Sequence, residues 1–234
     1  MKKIKKIIRA LIPVQIFRLI WKCKHQKEQF LYKNDSFAFT KIYQTNLWSS
    51  DESVSGRGSH INTTKSIRKE LPILWQQYEI KTFLDVPCGD YNWMKEVEKK
   101  DIIYIGGDIV KELIDNNNQK YRQKNISFEV LDITKDALPT VDMIFCKDCL
   151  QHLSYENVFK ALRNFKKSKS KYLLTTSYPL TISNWDIFDG DYRPLNLRIK
   201  PFNLPAPIQK ILEKSSSDEP DKYMYLYKIE DINT

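Results

Sequence analysis

The chain has 234 residues, which suffices for one α/β domain with a full core and is short for two independent domains. Its formal net charge is +9, but nine of its 38 Lys and Arg residues fall within residues 1–27, where no Asp or Glu occurs, so 29 basic and 29 acidic residues remain elsewhere. Because residues 28–234 are formally neutral, a basic groove for a polynucleotide is not supported and no nucleic-acid partner is expected.

Residues 1–27 carry apolar side chains at intervals of three and four residues, with Lys, Arg and Gln on the opposite side. The apolar residues are Ile4, Ile7, Ile8, Leu11, Ile12, Ile16, Leu19 and Ile20. This spacing predicts an amphipathic helix with a basic face. A signal peptide or a spanning helix does not fit, because Arg9, Pro13 and Gln15 interrupt the apolar run. Two interpretations stay open: peripheral contact with the anionic inner face of a membrane, or packing on the chain's own domain or on a second subunit.

Residues 28–65 show weak periodicity and are predicted to form a linker and a cap, with residues 66–234 as the catalytic domain. A helix is predicted from Thr64 to Tyr78. Strands are then predicted near 82–86, 102–107, 127–131, 141–146 and 172–177, and helices near 91–98, 109–122 and 154–166. This alternation predicts a parallel sheet with right-handed crossovers. The segment from Lys222 to Ile229 is a predicted strand that follows Pro-rich chain instead of a long helix.

The most informative stretch runs from Phe83 to Met94, where an apolar strand enters a tight turn that opens a helix. Open α/β sheets hold nucleotide-like cofactors at such a turn. Asp108 ends the next apolar run, 23 residues after Asp85, which is the usual spacing for a carboxylate that grips a ribose diol. The series continues with Asp132 and with the loop from Asp148 to His152, each after a further apolar run.

These four segments together resemble motifs I to IV of the class I S-adenosylmethionine-dependent methyltransferases. Three further segments, 52–59, 190–205 and 221–227, resemble one bacterial branch of that superfamily. The resemblance implies a Rossmann-like fold with a seven-stranded, mostly parallel sheet and a C-terminal antiparallel hairpin, and it implies S-adenosylmethionine as the cofactor. Motif I departs from the family pattern, because Pro87 and Tyr91 stand where the first and third glycines would be and only Gly89 is kept.

The resemblance also assigns roles within the cofactor site. Asp85 and Asp90 would hold the turn and the amino acid end of the donor, Asp108 would accept hydrogen bonds from both ribose hydroxyls, and Asp132 from the adenine amino group. The full predicted set is Asp85, Pro87, Cys88, Gly89, Asp90, Trp93, Asp108, Ile109, Asp132, Ile133 and Lys147, with Ser55, Gly56 and Arg57 from a loop that folds over the donor. Each acid taken singly could instead be a helix cap or a turn residue.

Asp148 and His152 flank the loop where the transferable methyl group would point, and they are the predicted catalytic residues. A hydroxyl acceptor loses a proton as the new bond forms, and histidine is the side chain best suited to take it near neutral pH. The alternative for His152 is a packing role beside Ser154, which is a candidate helix N-cap followed by Glu156 in the first turn.

Residues 184–193 mix aromatic rings with Asn and Asp acceptors, a composition that suits a sugar and is equally compatible with an ordinary surface loop. Trp185, Asp189, Tyr192 and Arg193 are the predicted substrate-binding residues, with Arg193 able to pair with a phosphate. The expected function is methyl transfer to a hydroxyl of a bacterial surface-glycan or related small-molecule precursor. The alternatives are an NAD-dependent oxidoreductase, for which residues 87–92 fail two of three required glycines, and a membrane-associated protein without catalysis.

The four cysteines, Cys23, Cys88, Cys146 and Cys149, follow no regular framework spacing. They indicate reduced thiols in the cytoplasm. The pair Cys146 and Cys149 has the spacing of half a zinc site, but no second pair supplies the other two ligands, so no metal is predicted.

Overall fold

A computed structural model describes residues 35–48, 50–213 and 221–233, together with Ile16. The predicted helix over residues 1–27 lies outside the described residues except at Ile16, which is helical. The helices are α1 (Asp35–Thr45), α2 (Lys65–Gln77), α3 (Lys111–Tyr121) and α4 (Tyr155–Lys167). The strands are β1 (Thr82–Asp85), β2 (Ile103–Asp108), β3 (Ile126–Val130), β4 (Met143–Cys146), β5 (Tyr172–Ser177), β6 (Gln209–Leu212) and β7 (Tyr223–Lys228).

The seven strands form one sheet in the order β3-β2-β1-β4-β5-β7-β6. Strands β1 to β5 are parallel, whereas β7 runs antiparallel to β5 and pairs with the antiparallel β6. The predicted Rossmann-like fold with its C-terminal hairpin is therefore confirmed. None of the described helices is both long enough and apolar enough to cross a membrane.

The sheet is buried on both faces, because successive strand residues feed two separate cores. In β1, Phe83 packs among Leu71, Leu74 and other residues on one side, while Leu84 packs with Leu162 and other residues of α4 on the other. Burial on both faces explains why the parallel strands are nearly continuous apolar runs in the sequence.

One sequence prediction is wrong. The helix predicted near 91–98 is reduced to a single 3₁₀ turn, Met94–Glu96. Its carbonyl groups are used elsewhere: the buried ammonium of Lys99 donates to the carbonyls of Met94 and Val97. Within residues 28–65, predicted as linker and cap, residues 35–45 form helix α1.

The strand ends fix where a site can form. The parallel registers pair Asp85, the last residue of β1, with Gly106 in β2 and with Phe145 in β4. The carboxyl ends of these strands therefore meet at one edge of the sheet, which is the usual location of ligand sites in open α/β folds.

Candidate active site

An open cavity lies at this edge, with a volume of about 1110 Å³ including its solvent-exposed mouth. It is lined by residues from the ends of β1, β2 and β4, from helix α1 and from the loop around residue 55. The predicted site residues among its walls are Ser55, Asp85, Pro87, Cys88, Gly89, Trp93, Asp108, Ile109, Asp132, Ile133, Lys147, Asp148 and His152. Sequence motifs that are far apart in the chain thus meet in one cavity.

The turn after β1 brings the backbone close to whatever occupies the cavity. Gly89 has a φ of 56°, and a Cβ at this position would lie 2.3 Å from Oγ of Ser55. The turn is fixed from below, because Cys88 N donates to the Gly107 carbonyl at 2.8 Å and Asn117 Nδ2 donates to the Gly89 carbonyl at 2.8 Å. Only glycine meets both the conformational and the spatial requirement here.

Asp108 ends β2 with its carboxylate at the cavity wall. Its Oδ2 accepts a hydrogen bond from Gly89 N at 3.2 Å and its Oδ1 accepts one from Val110 N at 3.0 Å. Burial raises the pKa of Asp108 to about 6, although these backbone donors act in the opposite direction. Each oxygen retains a second lone pair, so the carboxylate can accept two further hydrogen bonds from a vicinal diol.

Asp85 lies deeper, at the end of β1, and accepts a hydrogen bond from Tyr104 Oη at 2.6 Å. Burial raises its pKa to about 7, against the effects of the Tyr104 hydrogen bond and the nearby ammonium of Lys99. Asp85 therefore supports the floor of the cavity and titrates near neutral pH.

Asp132 follows β3 and closes a local turn. Its Oδ1 accepts from Thr134 N at 2.8 Å and from Thr134 Oγ1 at 2.6 Å, and Lys135 pairs with its Oδ2 at 3.1 Å. Asp132 is therefore a turn residue, in agreement with the alternative prediction, and it also lines the cavity. Leu131 and Ile133 form an apolar wall beside it.

The loop around residues 53–55 is tied to the β1 turn through Asp90. The Asp90 carboxylate accepts from Ser53 Oγ and from Val54 N, both at 3.0 Å, while Asp90 N donates to Ser55 Oγ at 3.0 Å. Asp90 thus anchors the loop and does not line the cavity. Gly56 packs against Trp48, and Arg57 is exposed. The predicted donor contacts of Asp90, Gly56 and Arg57 are accordingly not supported by their placement.

A buried group of two lysines and two acids, hereafter the ion quartet, lies beside the cavity. Lys147 pairs with Asp148 and with Glu213 Oε1 at 3.3 Å, and its ammonium also donates to the Gly58 carbonyl at 3.0 Å. Lys222 pairs with Asp148 Oδ2 at 2.6 Å and with Glu213 Oε2 at 3.6 Å. The two positive and two negative charges therefore balance.

The ion quartet corrects the prediction that Asp148 is a base. Its Oδ1 accepts from Gln151 Nε2 at 2.9 Å, and its Oδ2 is taken by both lysines. Burial acts to raise the pKa of Asp148, but the ammonium groups of Lys147 and Lys222 outweigh it and hold this pKa far below its usual range. A carboxylate so stabilised is a poor proton acceptor, so Asp148 has a structural role.

His152 reaches the cavity from the 3₁₀ turn Leu150–His152 that follows β4. Its Nδ1 lies 2.8 Å from the Asp191 carbonyl oxygen. A carbonyl only accepts, so Nδ1 carries the hydrogen and the lone pair of the neutral ring lies on Nε2. The alternative prediction places His152 as a packing residue beside the N-cap of a helix. Ser154 is indeed the N-cap of α4, because its Oγ accepts a hydrogen bond from Asn157 N. His152 nevertheless lines the cavity.

Comparison with known proteins identifies a domain within the chain. Residues 83–169 match the family model described as a methyltransferase domain. This part of the chain is a methyltransferase domain. No curated protein matches the sequence significantly. The match covers the segment from β1 to the end of α4, which supplies most of the cofactor half of the cavity, and it sets aside the oxidoreductase alternative.

Solved methyltransferase structures share the fold. The N-methyltransferase NodS from Bradyrhizobium japonicum WM9, in complex with S-adenosyl-L-homocysteine, has a TM-score of 0.60 at 16% identity, over 80% of this chain and 97% of that chain. The methyltransferase domain of bacterial CtHen1-CN has a TM-score of 0.53 at 12% identity, over 71% and 100% of the two chains. Human N-acetylserotonin methyltransferase matches 49% of this chain at 16% identity, with a TM-score of 0.42. The matched part spans about a third (34%) of that protein's length.

The sequence resemblance implies S-adenosylmethionine as the cofactor, and the residues present fit it. The turn with Gly89 lines the cavity, and only a glycine there leaves room for the Ser55 side chain that packs on it. Asp108 offers an acceptor pair for the ribose diol, and Leu131 and Ile133 offer an apolar wall for the adenine. Lys147 lines the cavity, but its ammonium is already engaged by the ion quartet.

The segment 189–193, hereafter the strap, runs beside the turn that carries His152. Gly190 N donates to the His152 carbonyl at 2.8 Å, and Arg193 Nη1 donates to the Leu153 carbonyl at 2.6 Å. Asp189 accepts from Ser154 N and from Asn157 Nδ2, both at 2.6 Å. The strap thereby fixes the backbone on both sides of His152.

The strap corrects two predicted substrate contacts of this methyltransferase. Arg193 is fully buried over the Tyr155 ring, and burial lowers its pKa to about 10, so it cannot reach a phosphate in solvent. Asp189 is buried against α4. Trp185 is half-buried and is not among the cavity residues. Tyr192 also lies outside the lining but contacts the His152 ring, at 5.4 Å between ring centroids.

Two groups of functional residues escaped the sequence prediction. Helix α1 and the turn after it line the cavity with Phe39, Ile42, Tyr43 and Trp48. Their weak periodicity hid the helix, although the density of aromatic residues was visible. Glu213 and Lys222 belong to the ion quartet, and their only signal was a charged residue at each side of a predicted hairpin.

Proposed function

We propose that this methyltransferase transfers the methyl group of S-adenosylmethionine to a hydroxyl of a bacterial surface-glycan precursor or a related small molecule, with His152 as the general base. The observation that carries the proposal is the position of His152: it lines the cavity, and Nδ1 is bound to the Asp191 carbonyl, which directs the basic lone pair to Nε2.

When bound, S-adenosylmethionine supplies an activated methyl group: the acceptor oxygen bonds to the methyl carbon as the carbon–sulfur bond breaks, and the electron pair stays on sulfur. The chain has to align the acceptor and remove its proton. We assign the proton to Nε2 of His152. The ring is held by the strap in the tautomer that this step needs.

The character of the cavity walls supports a neutral acceptor with apolar faces. Phe39, Tyr43 and Trp48 form an aromatic side, and Lys147, the lysine among the described wall residues, is neutralised with Lys222 by Asp148 and Glu213. Aromatic rings cover the C–H face of a sugar well, whereas a phosphate backbone would need unpaired cations. A polynucleotide acceptor is therefore not expected.

The basic segment 1–27 supports a location of the enzyme at a membrane surface. A helix with a basic face binds anionic lipid, and each lysine near such a surface contributes about 1 kcal/mol. We propose that the enzyme works in the cytoplasm, in peripheral contact with the inner membrane face, where a lipid-linked glycan precursor would be presented.

The test is methyl transfer from isotope-labelled donor to a panel of sugar nucleotides, lipid-linked saccharides, small alcohols and amines. We expect hydroxyl acceptors to be methylated, and we expect His152→Gln to lower turnover about 10²–10⁴-fold while donor affinity stays nearly intact. His60→Gln is the matched control, because His60 bonds to Ser50 away from the cavity lining. Full activity of His152→Gln, or turnover confined to amines, would show that the proposal is wrong.

A further inference from the structure

We propose that the aromatic rings of Trp48 and Tyr192 act as positioning residues that strengthen His152 as a base, by stabilising the imidazolium that forms when it takes the acceptor proton. This inference rests on the proposed function, in which His152 receives that proton. It concerns residues that lie outside the segment 83–169 that matches the methyltransferase domain.

The His152 ring has an aromatic neighbour from each of two separate segments. Its centroid lies 5.2 Å from that of Trp48, with 39° between the planes, and 5.4 Å from that of Tyr192, with 50° between the planes. Trp48 packs closely against Gly56, because a Cβ at that glycine would lie 3.3 Å from Trp48 Cβ. Tyr192 is held by the strap, with its hydroxyl 3.3 Å from that of Tyr178.

A cation within about 6 Å of an aromatic centroid is attracted by the negative face of the ring, most strongly by Trp. A neutral imidazole has no such gain, so the two rings favour the protonated product of the base over its resting form. Burial by the same rings acts in the opposite direction, because desolvation disfavours the charged form. The sign of the net effect can therefore be measured.

The charged residues near His152 are themselves unchanged in the ring variants. Asp148 is neutralised within the ion quartet. Asp189 is bound to Ser154 N and to α4. The carboxylate of Asp191 accepts from the backbone N of Tyr192 at 2.7 Å, a bond that any side chain at position 192 preserves. Differences between ring variants consequently report the rings.

The experiment follows the ring carbon-bound protons of the histidines by two-dimensional NMR while the pH is varied. The chain has only three histidines, His25, His60 and His152, so His152→Gln assigns the signal of interest and His60 serves as the internal reference. We expect Tyr192→Leu and Trp48→Leu each to lower the titration midpoint of His152 by about 0.5 pH units. Tyr192→Phe and Trp48→Phe, which keep a ring, should retain a midpoint close to that of the unmodified chain.

An unchanged or raised midpoint in both Leu variants would overturn the inference, since it would mean that the rings only pack or desolvate. An unchanged circular dichroism spectrum and melting temperature show that each variant is folded. The acid limb of turnover against pH should move with the NMR midpoint in the Leu variants and return in the Phe variants. Because the NMR titration needs no acceptor, failure to find a methylated hydroxyl would refute the proposed function and leave this result standing on its own.

Discussion

The affinity for S-adenosylmethionine should fall as the pH drops through about 6, and the cause is Asp108. The ribose diol donates hydrogen bonds, so the donor favours the ionised carboxylate. Burial raises the pKa of Asp108 to about 6. Donor binding is therefore fully supported above this pH and is lost below it.

The magnitude follows from the fraction of Asp108 that is ionised. At pH 5, one unit below the pKa, about one carboxylate in ten is ionised, so the donor Kd should rise about tenfold relative to pH 7, which corresponds to about 1.4 kcal/mol. The effect on folding has the opposite sign. A carboxyl whose folded pKa is raised from 3.8 to about 6 contributes stability below its ordinary value and loses it as the pH rises through 6.

Isothermal titration calorimetry with the donor at intervals from pH 5 to pH 8 provides the measurement. Asp108→Asn should weaken donor binding by about 2 kcal/mol at pH 7.5, because a charge-assisted pair of hydrogen bonds is lost, and it should flatten the pH dependence. Asp85→Asn is the matched control, because Asp85 is the other buried acid of this wall with a raised pKa, about 7. A pH dependence that persists in Asp108→Asn and vanishes in Asp85→Asn would refute the assignment of the ribose to Asp108.

Three other results are expected. Glu213→Gln should lower the free energy of unfolding in urea by about 3–5 kcal/mol, because the buried ammonium groups of the ion quartet lose a counter-charge. The double variant Glu213→Gln, Lys222→Met should recover part of this loss. If Glu213→Gln is as stable as the parent, the ion quartet does not stabilise the fold. Asp85→Asn should stabilise the protein more at pH 8 than at pH 5, by at most about 2.7 kcal/mol, since the folded pKa of Asp85 is raised from 3.8 to about 7 and its stabilising contribution is lost as pH rises; a reversed trend in melting temperature would contradict this. The full chain should bind phosphatidylglycerol vesicles in low salt and release them in high salt through residues 1–27, whereas indifference to vesicles at every ionic strength would favour a packing helix.

The sequence predicts the parallel strands well because both faces of the sheet are buried. Strand β1 supplies Phe83 to one core and Leu84 to the other, so the strand has no polar side and stands out as an apolar run. Strand β6 has no such pattern, since it lies at the sheet edge with only Ile211 buried. The helix predicted near 91–98 is replaced by a 3₁₀ turn in which the nearby Lys99 ammonium binds the carbonyls of Met94 and Val97, a side-chain contact that the spacing of apolar residues does not record.

The site divides in the same way. Gly89 and Asp108 could be predicted because each follows directly from the end of its own strand, and the sheet registers bring those ends together. The role of Asp148 could not, since its partner Lys222 is 74 residues away and no local pattern records the pairing. Arg193 is likewise of a residue type that often binds phosphate, which is why the sequence predicts a substrate contact. Only its complete burial and its hydrogen bond to the Leu153 carbonyl show that it holds the backbone next to His152.

We propose that donor and acceptor recognition are encoded in different parts of this chain. The family match ends at residue 169 and begins at residue 83, whereas Trp48 and the strap lie outside it. The strap and the turn after α1 meet on His152, which is the last cavity residue of the loop after β4 that could accept a proton. Chains that share the donor motifs can therefore differ in acceptor through these two segments without any change at Gly89 or Asp108. Exchange of the strap between such relatives should alter the KM for the acceptor while the Kd for the donor stays constant, because the strap supplies no wall to the donor half of the cavity.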